Sequence, residues 1–193
     1  VSEVFRELQA RSDKSFCYPI AVDLRNSWGL KRANEILFRH FEDIGLDIDY
    51  NARAVRALKA GGLAMLIDGF DEIGSQAWSI DAEKLKSIRA SALIGVKDLL
   101  QQSKFGNLIT GREHYFSTSA EMFTALGLKK DQAIIIRSKN EFNDTELKEY
   151  FRARSIDIDI PKWLPRRPLI CQTISDLKDD EFERMFENEE GEI

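Results

Sequence analysis

Cysteine is scarce: Cys17 and Cys171 are the only two in 193 residues, far apart and without C-x-x-C spacing. That usage fits free thiols in a reducing cytoplasm better than a disulfide framework. Histidine is no more plentiful. His40 and His114 have no partner at metal-ligand spacing, so both are read as ordinary side chains. No apolar run approaches the ~18 residues of a membrane-crossing helix, and no basic-then-apolar start reads as a signal peptide. Neither charge dominates. Lys and Arg number 28 against 33 Asp and Glu, a net charge of −5 that supplies no general attraction to nucleic acid or an anionic membrane. A starting methionine is missing too, and with the acidic tail this makes the chain read as a piece of something longer.

What is present suffices for one sizeable core and a small second lobe, since 43% of the residues are hydrophobic. Tyr18 to Leu24 is a strand-forming run that ends at Arg25-Asn26-Ser27. Leu63 to Ile67 is apolar without alternation, which predicts a strand buried on both faces of a helix-covered parallel sheet. Asn107 to Thr110 and Ala133 to Arg137 repeat the short strand pattern. Around them, a short helix is expected over Ser2 to Leu8, and longer ones over Leu30 to Ile44, Ala52 to Lys59 and Glu83 to Gln102, with weaker helical character over Ala120 to Leu126. Strands alternating with helices predict a three-layer α/β domain over residues 1–138. After Ser138 no strand is evident, and Asn143-Asp144-Thr145-Glu146 offers a capping box ahead of Leu147, Tyr150 and Phe151. Residues 139–193 are therefore expected to form a small helical lobe. Phe38, Phe41, Trp78 and Trp163 are assigned to the core, and the carboxylate-rich stretch 179–192 to a docked amphipathic helix or a frayed end.

The most informative stretch is Leu63 to Ile73, where the apolar run ends abruptly in Asp68-Gly69-Phe70-Asp71-Glu72. Open parallel sheets bind ligands beyond the carboxyl ends of their strands, and Asp68 is expected at that edge, where a carboxylate can hold a hard cation such as Mg²⁺ through its water shell. Gly69 permits a sharp turn that returns Asp71 and Glu72 toward the same place. Three clustered carboxylates repel one another, which argues for a compensating cation. Asp68 and Asp71 stand three positions apart, and this excludes a haloacid-dehalogenase arrangement, which needs alternate positions. The run Asn107 to Thr110 ends in Thr110-Gly111-Arg112, a hydroxyl and a planar guanidinium suited to phosphate oxygens. The bland readings are an acidic surface turn and an ordinary surface arginine.

An apolar strand followed by Asp, a small residue, an apolar residue and Asp-Glu resembles the Walker B motif of NACHT-type NTPases, which belong with the STAND and AAA+-like P-loop NTPases. Asn107 to Arg112 resembles the sensor strand that follows Walker B in that family. Trp163-Leu164-Pro165-Arg166-Arg167-Pro168-Leu169-Ile170 looks like the proline-containing start of its helical lobe, and Pro19 to Arg25 is similar to its second core strand. The resemblance implies a signalling switch that hydrolyses ATP or GTP with Mg²⁺. In it Asp68 would hold the metal through water, and Glu72, with Asp71 as second choice, would orient or deprotonate the attacking water. Thr110 and Arg112 would sense the γ-phosphate, and Pro168 would pack near the base. The implied partners are a nucleotide and, through oligomerisation, other proteins; neither nucleic acid nor membrane is expected.

The family's G-x-x-x-x-G-K-[ST] loop does not occur, because Gly61-Gly62 is followed by Leu63-Ala64 with no Lys to reach phosphate. The expected fold is thus a P-loop NTPase core lacking its first strand. In that family this strand lies between the sensor strand and the last strand, so its loss leaves backbone groups unpaired at ~1–3 kcal/mol each where buried. Residues 1–193 alone are expected to be inactive. Two rivals compete: a non-catalytic interaction module on a degenerate scaffold, and a metal-dependent nuclease built on Asp68, Asp71 and Glu72, which the net charge disfavours.

Overall fold

Three of the apolar runs become strands, β1 (Tyr18–Asp23), β2 (Leu63–Asp68) and β3 (Asn107–Ile109). They form one parallel sheet in the order β1-β2-β3, with Tyr18 opposite Leu63, Asp23 opposite Asp68, and Ile67 opposite Ile109. Long helical crossovers between consecutive strands favour that parallel sense. As the missing alternation predicts, Leu63 to Ile67 are all buried, and exposure returns at Asp68. Pro19 occupies a strand position where its missing N–H costs no ladder bond. Tyr18 and Leu24 donate to Gly62 O (2.9 Å) and Asp68 O (3.0 Å), so Pro19, of opposite parity, addresses the outer edge.

The computed structural model describes residues 1–73, 79–156, 164–177 and 181, with Glu113 described by its backbone alone. Among these residues the chain is mixed α/β, with eight helices: α1 (Ser2–Ser15), α2 (Ala33–Asp43), α3 (Ile48–Ala60), α4 (Ala82–Ala92), α5 (Ile94–Gln102), α6 (Ser119–Leu126), α7 (Asp144–Arg152) and α8 (Pro168–Ser175). None is long and apolar enough to cross a membrane. Val22, Ile36, Leu37, Leu58, Met65, Ile67, Val96, Leu99 and Leu126 gather into the main core, bringing α2, α3, α5 and α6 onto the sheet. Asp98 on α5 accepts from the Ala33 N–H at the start of α2 (2.7 Å), tying these two helices together with a buried-end hydrogen bond.

Several expectations need correction. The single helix over Glu83 to Gln102 is two, broken at Leu93, and the second passes so close to Leu30 that a Cβ at Gly95 would lie 2.6 Å from the Leu30 carbonyl oxygen. The first helix runs on to Ser15, and Phe38 is exposed rather than core, whereas Phe41 is buried. The fourth strand does not form. Ala133 to Arg137 carry no strand pairing, and Ile134 and Ile136 are 91% and 83% exposed. An apolar run becomes a strand only where a neighbour takes up its backbone groups, and none of the described strands does so here. Trp78, Trp163 and the stretch 179–192, apart from Glu181, lie outside the described residues.

The chain divides into two compact units, Val1–Ile134 and Ile135–Ile193. In the second, Asn143 and Glu146 form the capping box read from the sequence, and Leu147, Phe151, Leu164, Cys171 and Ile174 make a separate small core. Both cysteines are buried free thiols, and burial pushes each above the ordinary thiol range.

Candidate functional site

The parallel sheet sends the carboxyl ends of all three strands to one edge, and with them Asp23, Asp68 and the turns that follow. After Asp68 the chain turns through Gly69, whose φ of 79° favours glycine, and the Glu72 N–H closes the turn on Gly69 O at 3.0 Å. Phe70 drives this turn. It is buried against Tyr115 and Phe116 (ring centroids 5.7 and 5.4 Å) and lies so close to Gly111 that a Cβ there would meet its ring at 2.4 Å. With Phe70 inside, the flanking Asp68 and Glu72 are left exposed at the edge.

Thr110 is tied to the same turn from the other strand. Its N–H donates to Ile67 O (2.9 Å), and its carbonyl accepts from the N–H groups of Gly69 (3.1 Å) and Phe70 (3.2 Å). Its hydroxyl then donates to Asp68 Oδ1, so the two residues expected at one sheet edge are in direct contact.

The other two carboxylates are each engaged by a cation from a neighbouring segment. Asp71, whose side chain is only 11% exposed, accepts from the Arg112 backbone N–H at 3.1 Å and stands 3.4 Å from Arg112 Nε. Glu72 Oε2 lies 3.7 Å from Arg25 Nε. Arg25 in turn is forked on Asp23, with Nε donating to Oδ2 at 2.8 Å and Nη2 reaching the same oxygen. These bonds hold the Asp23 carboxyl below the usual carboxylate range and raise the guanidinium. Repulsion among the acids is therefore answered within the chain by two arginines and a hydroxyl. Among the described residues no three His, Cys, Asp or Glu side chains converge as a full set of metal ligands would. A lone Asp68 beside a hydroxyl fits a water-mediated hold on Mg²⁺, which keeps most of its own water shell, and does not fit an all-protein cage.

Pro168 is the first residue of α8, where its ring fits the helix start, and it is exposed in the second unit. An open cavity of about 590 Å³ lies beside β1, lined by Asp23, Arg25, Asn26, His40 and Asp43 among others; Asp68, Asp71, Glu72 and Thr110 do not line it. Burial lowers the His40 pKa there.

Sequence reasoning passed over Asp23 and Arg25, although a carboxylate and an arginine at the tip of a strand parallel to β2 were the available signal. It also missed the Arg89–Glu121 ion pair (3.1 Å), largely buried between α4 and α6, in which Glu121 accepts from the Ser117 N–H at 2.9 Å and Arg89 lies 5.5 Å from the Tyr115 ring centre.

The chain matches no protein-family model, no curated protein and no solved structure.

Proposed function

We propose that these residues form the acidic and sensor part of a NACHT-type nucleotide-dependent signalling switch, with the phosphate cradle supplied by sequence outside residues 1–193. The observation that carries the reading is the contact between Thr110 and Asp68 at the carboxyl edge of two parallel strands, where open α/β sheets bind their ligands. Mg²⁺ supplies charge neutralisation between the phosphates when bound, and Asp68 is the residue to hold its water shell. Asp71, turned to Arg112, serves to aim the sensor guanidinium at phosphate oxygens. That leaves Glu72 as the group that orients or deprotonates the attacking water, with Thr110 and Arg112 responding to the γ-phosphate. In the intact cytoplasmic protein, ATP or GTP hydrolysis then sets the signalling state and, through it, oligomerisation.

One observation favours a second reading, the non-catalytic interaction module: the acids at the edge already have partners within the chain. Calorimetric titration of Mg²⁺-ATP and Mg²⁺-GTP into the longer protein that carries both these residues and the phosphate loop separates the two. The switch reading expects Mg²⁺-dependent binding that weakens roughly tenfold or more in Asp68→Asn, on the scale of a lost charged hydrogen bond. Absence of any Mg²⁺-dependent binding would leave the interaction module.

A further inference from the structure

We infer that Arg25 is a positioning residue for Glu72, an inference that rests on the hydrolytic reading above. A glutamate on an exposed turn aims a water poorly unless something limits its freedom, since reaction rates depend steeply on ångström-scale placement. Two surfaces limit it here. On one side Gly69 has no side chain, and the Glu72 carboxyl folds over it, with Cδ 3.3 Å from where a Cβ would stand. On the other, Arg25 Nε lies 3.7 Å from Glu72 Oε2.

Arg25 can act as a fixed point because it is itself held twice. Asp23 Oδ1 accepts from the Arg25 backbone N–H at 2.9 Å while Oδ2 takes the guanidinium through Nε and Nη2. Asp23 is the register partner of Asp68, so the series Asp23, Arg25, Glu72 runs from the tip of the edge strand to the turn after the central strand. The edge strand β1 thereby gains a role at the site: its tip sets where the carboxylate of Glu72 points. A single ion pair of this exposure adds little to folding, so its effect belongs to turnover rather than to stability.

Steady-state hydrolysis by the longer protein tests this with Arg25→Ala, Arg25→Lys, Glu72→Gln and the Arg25→Ala/Glu72→Gln pair. Arg25→Ala is expected to lower kcat roughly 10- to 100-fold, the cost of misplacing a reacting group by about an ångström, with KM changed less than about twofold. Arg25→Lys restores most of the loss, and Arg25→Ala adds nothing once Glu72 is already Gln, because groups that act as a unit are not additive. Thermal melts check folding; if Arg25→Ala melts early, Asp23→Asn, which loosens the guanidinium without removing it, must give the same kcat effect. Unchanged turnover in Arg25→Ala, a rise in KM alone, or effects that multiply in the double variant would each overturn the inference while leaving the hydrolytic reading intact. Wild-type turnover by Glu72→Gln would overturn that reading itself, and the inference with it.

Discussion

Thr110 donates its hydroxyl hydrogen bond to Asp68, so the tips of β3 and β2 are joined by side chains as well as by backbone. Thr110→Val keeps the shape and removes the donor. Because Asp68 is exposed to water, the fold loses less than about 1 kcal/mol, a shift of at most a few degrees in Tm. The larger effect is on ligand: Mg²⁺-dependent nucleotide affinity of the longer protein is expected to fall about tenfold, measured by titration calorimetry. Equal affinity in Thr110→Val and wild type would remove Thr110 from the site.

Arg89 and Glu121 present the opposite case, a pair whose side chains are only 14% and 7% exposed. Removing one member strands the other. Glu121→Ala is expected to cost roughly 3–5 kcal/mol, whereas exchanging both for apolar residues of similar volume, Arg89→Met with Glu121→Leu, costs much less. Urea unfolding of the three proteins gives the comparison, and a double variant as unstable as the single one would contradict it.

Arg89 lies over the Tyr115 ring, the Tyr115 hydroxyl is buried without a hydrogen-bond partner among the described residues, and burial raises its pKa to about 12. In the folded chain the phenol therefore holds its proton more tightly than in the unfolded chain, where it titrates near ~10. Stability from this group is intact below pH ~10 and declines as pH rises from there toward the folded value. Tyr115→Phe is expected to remove that alkaline decline and to stabilise the fold by about 1 kcal/mol at neutral pH, by deleting an unsatisfied buried group. Thermal melts across alkaline pH test both parts, and an unchanged slope would refute the assignment.

The central strand was legible because an unbroken apolar run bounded by Gly61-Gly62 and Asp68 has few other fates, and helical crossovers favour the parallel sense. Ile134 to Ile136 looked equally strand-like and pair with nothing described, since local pattern reports a residue's preference and not whether a neighbour exists. The close approach of Leu30 to Gly95 was invisible for a related reason: it is a contact between segments distant in sequence. At the site, the turn of Asp68 to Glu72 was readable from Gly69. What each carboxylate faces was not, because Arg25 and Arg112 arrive from the ends of other strands.

The exposed isoleucines provide a further test. Replacing Ile134 and Ile136 by Ser is expected to change the stability of residues 1–193 by no more than ~0.5 kcal/mol, as at ordinary surface positions. Denaturant unfolding reads the difference, and a loss well above that would contradict the exposure of these side chains.

The hydrolytic role of Glu72 is tested most directly by single-turnover hydrolysis by the longer protein, wild type beside Glu72→Gln, with nucleotide binding measured on the same samples. Glu72→Gln is expected to bind Mg²⁺-nucleotide as wild type does and to hydrolyse it about 10²- to 10⁴-fold more slowly, the usual loss for a positioned base. Hydrolysis at the wild-type rate by Glu72→Gln, or no hydrolysis by either protein, would contradict it.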